Sequence, residues 1–89
     1  MFQPLELFDV TFEITEGINT STRRMQAPQI LIEQQFLQLM QQAANLSIPV
    51  KIKMSRIEKI YNVFDDKWLD RENSVTFMNN AYIAQNGEN

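Results

Sequence analysis

The sequence predicts an α+β fold, in which one long amphipathic helix packs on one face of a small antiparallel sheet or a partly closed barrel. Two patterns support this prediction. Apolar and polar side chains alternate in residues 8–15 and again in residues 48–55, which is typical of half-buried strands. Between them, residues 28–44 carry apolar side chains at helical spacing. The length of 89 residues predicts a single domain, residues 1–89.

The first strand is followed by a predicted tight turn, because Gly17 and Asn19 both tolerate the positive φ angles that such turns need. Residues 19–26 show no clear apolar period. They are compatible with a loop or with a second strand that pairs back on the first.

The helix is the best-defined element. Pro28 suits its first turn, where a missing N–H costs nothing. At 100° per residue, five glutamines share a sector of about 120° opposite the apolar stripe. They are Gln34, Gln35, Gln38, Gln41 and Gln42. Asn45 is predicted to close the helix in a left-handed conformation, and Pro49 prevents the helix from continuing.

The second half of the chain gives a weaker pattern. Ile48, Val50, Ile52 and Met54 alternate with lysines, which predicts a strand with one basic face. Residues 55–64 fit a helix by spacing, but their β-branched and aromatic residues favour a continued strand.

The end of the chain is predicted to return as a last strand. Residues 63–69 are expected to form a tight, Asp-rich connection before it. The strand would comprise residues 74–77 and 81–83, bent at Asn79 and Asn80, and residues 85–89 are expected to fray.

Composition argues against an enzyme. The chain has no cysteine and no histidine, which removes thiolate metal sites, disulfides and the usual general base. The chain has one cluster of acidic residues, which comprises Asp65, Asp66, Asp70 and Glu72. This cluster lacks the glycine and the alternating oxygen ligands of a calcium loop. We therefore predict no catalytic residue, no metal, no cofactor and no small-molecule substrate.

Charge is unevenly distributed, although the net charge is −3. Residues 21–62 carry six basic side chains against two carboxylates, whereas the segments on both sides are acidic. Basic and aromatic side chains on a sheet face would suit RNA or single-stranded DNA. The candidates are Arg23, Arg24, Lys51, Lys53, Arg56, Lys59, Tyr61 and Trp68. The alternative is that the lysines only face water and protect a strand, while the aromatic residues build the core.

The glutamine face of the helix is a candidate protein interface, because interface cores are depleted of charge. Its candidate residues are Leu31, Gln34, Gln38 and Gln41. The partner would be another protein or a second copy of the chain. A plainly solvated face is the alternative, since glutamine is a good helix former.

The sequence thus predicts a small non-enzymatic regulatory module that binds another macromolecule, with nucleic-acid binding as the second hypothesis. No segment resembles a signal peptide or reaches the roughly 20 apolar residues of a membrane helix, so we expect a cytoplasmic protein without membrane contact. Acidity, the lack of Cys and His and the richness in Asn and Gln resemble small accessory proteins of phages and plasmids. That resemblance implies a mobile genetic element as the source.

Overall fold

The computed structural model describes residues 6–86 as a single four-stranded antiparallel sheet with two helices. The elements are β1 (Phe8–Glu16), β2 (Asn19–Ala27), α1 (Gln29–Ala44), β3 (Val50–Asn62), β4 (Lys67–Met78) and α2 (Asn80–Asn86). The strand order is β2-β1-β3-β4, so β2 and β4 are edges and the sheet is open. The predicted α+β class is confirmed. The single long helix is not: α1 has 16 residues, and the short α2 accompanies it.

β1 and β2 form a tight hairpin, and residues 19–26 are therefore a strand. Glu16 pairs with Asn19, which leaves only Gly17 and Ile18 to turn the chain. Gly17 has a φ of 62°, a left-handed conformation that glycine adopts without steric cost. Its backbone N–H donates to the carbonyl of Pro49 at 2.8 Å, which ties this turn to the start of β3.

The core lies between α1 and one face of β1 and β3. The alternation in β1 buries Val10, Phe12 and Ile14. The apolar stripe of α1 covers them with Ile32, Phe36, Leu39 and Ala43, and β3 adds Val50 and Ile52. The rings of Phe12 and Phe36 lie 6.3 Å apart between centroids. Full burial of one such side chain contributes about 1.5–3 kcal/mol, so these contacts fix the orientation of the helix.

The end of α1 differs from the prediction. Asn45 has a φ of −93° and is right-handed rather than left-handed. Its side-chain amide donates to the carbonyl of Gln41 at 3.1 Å. The N–H of Leu46 donates to the carbonyl of Ala43 at 3.1 Å. These bonds satisfy the last carbonyls of the helix, so no left-handed residue is needed.

β3 and β4 form a hairpin that extends far beyond β1. β1 pairs only with residues 50–56 of β3, whereas β3 and β4 pair continuously from Lys51–Met78 to Asn62–Lys67. Residues 57–72 are hence paired only with each other, and we call this segment the arm. The turn occupies residues 63–66 alone. The expected connection over residues 63–69 was too long, because Trp68 and Leu69 already belong to β4.

The arm makes the molecule extended and thin. The radius of gyration of the Cα atoms is 16.3 Å, against about 12 Å expected for a compact domain of this length. The smallest principal extent is 19 Å, as for one sheet and one helix layer. One side of the sheet is consequently left without a covering layer among residues 6–86.

β4 ends at Met78, and the predicted strand at residues 81–83 is instead part of α2. The cause is Asn79, whose side-chain carbonyl accepts the N–H of Tyr82 at 2.9 Å and so caps a helix. This cap turns the chain out of the sheet. The predicted fraying concerns residues 85–89: Gln85 and Asn86 lie in α2, and residues 87–89 lie outside the described part of the chain.

Candidate protein-interaction surfaces

The basic residues predicted for nucleic-acid binding are divided between the two faces of the sheet. Directly paired residues of an antiparallel sheet share a face. Lys51, Lys53 and Lys59 lie opposite α1, on the side we call the open face, together with Arg24. Arg23 and Arg56 occupy the helix side, because Arg23 pairs with Phe12 and Arg56 with Val10. The six cations therefore do not form one patch.

Acidic side chains neutralise the cations of the open face. Lys53 pairs with Glu13 across β1 and β3. Lys59 reaches the carboxylate of Asp70 at 2.5 Å. In total this face carries four basic side chains and four acidic ones, the latter being Asp9, Glu13, Asp70 and Glu72. Such exposed pairs add little stability, but together they leave the face without net charge.

Arg56 makes several contacts within the fold on the helix side of the sheet. Its guanidinium lies over the ring of Phe8, 4.4 Å from the ring centroid. One terminal nitrogen donates to Gln29 at 2.5 Å, and the other contacts Glu58 at 2.6 Å. Arg56 thus joins β1, α1 and β3. This cation is already paired and half-buried, which makes it a poor phosphate ligand.

The arm exposes large apolar side chains on both of its sides. Tyr61 and Trp68 are cross-strand partners on the open-face side, with ring centroids 5.3 Å apart. Trp68 is 65% exposed. At the tip, Val63 is 71% and Phe64 94% exposed. On the other side lie Ile60 and Leu69, which are also exposed.

The favoured continuation of the strand through residues 55–64 is confirmed up to Asn62, but the isolation of the arm was not predicted, because Tyr61, Phe64 and Trp68 were assigned to a core as the alternative to base stacking. A two-stranded ribbon alone has no interior in which to bury them. One signal was present: apolar residues occur at both odd and even positions from Ile57 to Leu69, without the alternation of a one-sided strand.

The turn of the arm is internally ordered. The side-chain carbonyl of Asn62 accepts the N–H of Phe64 at 3.0 Å, and its amide donates to Asp65 at 2.9 Å. Asp66 then has a φ of 53°, a left-handed conformation that Asp tolerates better than most residues. These bonds hold the tip, with Phe64 projecting from it.

The predicted glutamine face of α1 does point away from the sheet. Gln34, Gln38, Gln41 and Leu31 are all exposed. Glu33 is the only charged residue of the helix, and its carboxylate accepts a hydrogen bond from Gln29 at 2.8 Å. The outer surface of the helix is therefore almost neutral.

Comparison with protein-family models, with curated proteins and with solved structures found no match to this chain. Between residues 6 and 86, neither helix has the length and apolar character needed to cross a membrane.

Proposed function

We propose that this chain is a non-enzymatic protein-binding module, and that the arm is its main contact with the partner protein. One observation carries the proposal: Phe64, Val63 and Trp68 are largely exposed on a ribbon whose strands pair only with each other. Exposed apolar surface of this kind marks interaction sites in soluble proteins. Trp and Tyr are also the side chains that dominate binding energy at interfaces.

The chemistry of the arm favours a protein over a nucleic acid. Residues 57–72 carry five carboxylates against three basic side chains. One of those bases, Lys59, is paired with Asp70. A surface with excess negative charge repels phosphates, which provide most of the affinity in nucleic-acid binding. An apolar protein groove, in contrast, accepts exposed aromatic residues without requiring positive charge.

The arm is also shaped before binding. The hydrogen bonds of Asn62 order the tip, and the contact between the Tyr61 and Trp68 rings orders the paired strands next to it. Side chains that are already ordered lose less entropy on association, so more of the contact energy becomes affinity.

Site-specific photocrosslinking tests the proposal. Phe64 would be replaced by a benzophenone amino acid in the native host, and crosslinked proteins identified by mass spectrometry. We expect discrete adducts that disappear when Trp68→Ala is added. The matched control is the same probe at Gln26, an exposed residue of the opposite edge strand. Identical adducts from both positions, or none from Phe64, would contradict the proposal.

A second candidate function is binding of RNA or single-stranded DNA. Exposed Trp68 and Tyr61 share the open face with Lys59, which favours it, because aromatic faces stack on unpaired bases. The test is whether purified protein carries nucleic acid, read from the ratio of absorbance at 260 and 280 nm, which are the standard wavelengths for bases and aromatic side chains. Retention on a mixed oligonucleotide that falls steeply with salt, and is lost in Lys51→Glu/Lys53→Glu, would favour this candidate.

A further inference from the structure

The outer edge of β4 carries backbone groups that no other strand of the sheet pairs with. The N–H of Asn79 donates to the carbonyl of Val50 at 3.0 Å, and these two residues continue the register of β3 and β4. Hydrogen-bonded and non-hydrogen-bonded pairs alternate along an antiparallel ladder. The even-numbered residues of β4 therefore direct their N–H and C=O groups away from β3. They are Trp68, Asp70, Glu72, Ser74, Thr76 and Met78.

This edge has few of the features that protect an exposed strand from pairing. β4 has 12 residues, it pairs with β3 without a bulge, and it contains neither proline nor glycine. In addition, residues 57–72 form a ribbon of only two strands. Such a ribbon is marginal in water, and about three strands are needed for independent stability. A further strand beside β4 would supply the third.

The apolar residues of β4 are placed symmetrically about its middle. The segment WLDRENSVTFM has two apolar residues at each end and Asn73 at its centre. A two-fold axis at Asn73 therefore sets Trp68 opposite Met78 of a second copy, on the open face. On the helix side it sets Leu69 opposite Phe77. Cross-strand pairs of this kind are the unit of sheet stabilisation, and methionine sulfur also makes favourable contacts with aromatic rings.

The charges of β4 fit the same register, because no charged residue lies directly opposite another. Asp70 and Glu72 both meet hydroxyl side chains. The apolar stem of Arg71 lies along the exposed Val75. Asn73 meets its own copy, and its amide group can both donate and accept a hydrogen bond.

The neighbouring registers are less favourable. An axis at Glu72 sets its two carboxylates directly opposite each other, which is destabilising. An axis at Ser74 sets Asp70 opposite Met78, so a charge loses its hydroxyl partner and meets an apolar side chain. The pattern of β4 thus matches a second copy of itself in one register.

The opposite edge of the sheet does not have this property. β2 carries Arg23 and Arg24 and no carboxylate, so two copies of β2 would bring four positive charges together. Pairing of β4 with β2 would leave a free edge on each copy and would continue into an open assembly, whereas β4 on β4 gives a closed dimer.

We propose that two copies of the chain associate through β4, in antiparallel orientation with Asn73 at the two-fold axis, and form one continuous sheet. Each opposed pair of outward-facing residues exchanges two backbone hydrogen bonds, which gives about 12 in the contact. A typical protein interface has about 10. The contact uses the backbone edge of β4 and not the tip of the arm, so it goes beyond the partner binding proposed above.

Cysteine substitution tests the register, because the native chain contains no cysteine. Asn73 directs its own N–H and C=O groups towards β3, so it forms a non-hydrogen-bonded pair with its copy, with Cα atoms about 4.5 Å apart. Disulfides span Cα separations of about 4.4–6.8 Å. Asn73→Cys, treated with oxidised glutathione, should therefore give a disulfide-linked dimer on a non-reducing gel. Absence of this dimer would overturn the proposal.

Arg71→Cys and Val75→Cys are the matched controls. Both residues lie on the same side of β4 as Asn73 and are more exposed. Each lies about 14 Å from its own copy along the paired strands, so neither variant alone should crosslink. A mixture of the two should give the heterodimer, since Arg71 lies opposite Val75. Crosslinking of either control alone at the level of Asn73→Cys, or none in the mixture, would overturn the proposal.

Light scattering measures the association without a covalent link. We expect twice the monomer mass for the native chain and the monomer mass for Ser74→Pro, because proline removes an outward N–H and blocks the edge. The circular dichroism spectrum should stay unchanged, since this N–H makes no bond to β3. A native chain that is monomeric across the concentration range would overturn the proposal.

Thr22→Pro is the control for the proline variant. The N–H of Gly17 donates to the carbonyl of Pro49, and by the same alternation Thr22 directs its N–H away from β1, at the edge of β2. This variant should keep the dimer. Equal loss of the dimer in Thr22→Pro and Ser74→Pro would contradict pairing through β4.

The two proposals can fail separately. Residues 63–66 lie beyond the paired segment, so Ser74→Pro should retain the Phe64 crosslinks to the partner protein. Phe64→Ser combined with Asn73→Cys should in turn retain the disulfide-linked dimer.

Discussion

The side-chain carbonyl of Asn79 accepts the backbone N–H of Val50 at 3.0 Å, which joins the end of β4 to the start of β3. The amide of the same side chain donates to the carbonyls of Ala43 and Ile48, both at 2.9 Å. With only 1% of its surface exposed, Asn79 is the buried polar residue among the described ones. It therefore connects the end of α1, the loop after α1, the start of β3 and the end of β4.

Replacing Asn79 by Ala should destabilise the protein by about 2–4 kcal/mol, because several buried backbone groups would lose their partners. Chemical denaturation followed by circular dichroism measures this change. Asn80→Ala is the control, since Asn80 is exposed and surface changes usually stay within about 0.5 kcal/mol. Equal midpoints for the two variants would contradict the role of Asn79.

Replacing Phe64 by Ser should leave stability unchanged within about 0.5 kcal/mol, because the Phe64 ring contacts little in the folded chain. The same substitution should abolish partner binding through the arm. Denaturation midpoints give the first quantity. Quenching of Trp68, the single tryptophan, by acrylamide in the presence of the crosslink-identified partner gives the second. A large loss of stability would show that Phe64 is buried.

Replacing Gly17 by Ala should cost about 1–2 kcal/mol, because a Cβ disfavours the left-handed backbone. Nothing lies within 4 Å of the position that the Cβ would occupy, so the cost comes from the backbone alone. Gly17→Asn should cost less, since Asn visits this conformation more readily. The order Gly, Asn, Ala in thermal midpoint is the expected result, and a neutral Gly17→Ala would contradict it.

Removing two carboxylates from the open face should create a binding site for polyanions. Glu13→Gln/Glu72→Gln leaves that face with two more basic than acidic side chains, and we expect elution from heparin at higher salt than the native chain. Glu16→Gln/Glu33→Gln changes the net charge equally, but neither residue lies on the open face. Equal elution of the two variants would mean that only total charge matters.

The sequence determines those elements whose burial pattern is local. The alternation in β1 and the helical stripe of α1 predict which of their side chains are buried, including Phe12 and Phe36. The spacing of apolar residues is sufficient to predict these buried side chains, because β1 and α1 each present one face to the same core.

The features that the sequence did not predict have nonlocal causes. The arm exists because β3 continues beyond the end of β1, and only the register between those strands reveals it. Likewise, Asn79 ends β4 because it finds partners about 30 positions earlier in the chain. The charge of the open face depends on which acids pair with which lysines. None of these relations is visible in a window of neighbouring residues.

The isolation of the arm has a consequence for its energetics. Segments held by few long-range contacts open locally without unfolding of the whole domain, and the only strand pairing of residues 57–72 is with each other. The affinity of a partner for the arm is thereby scaled by the fraction of time the ribbon is closed. Asp66→Gly, which relieves the left-handed turn without altering Phe64 or Trp68, would tighten binding by raising the fraction of molecules in which the ribbon is closed. The turn of the arm is thus a position from which binding strength can be adjusted without changing a single contact residue.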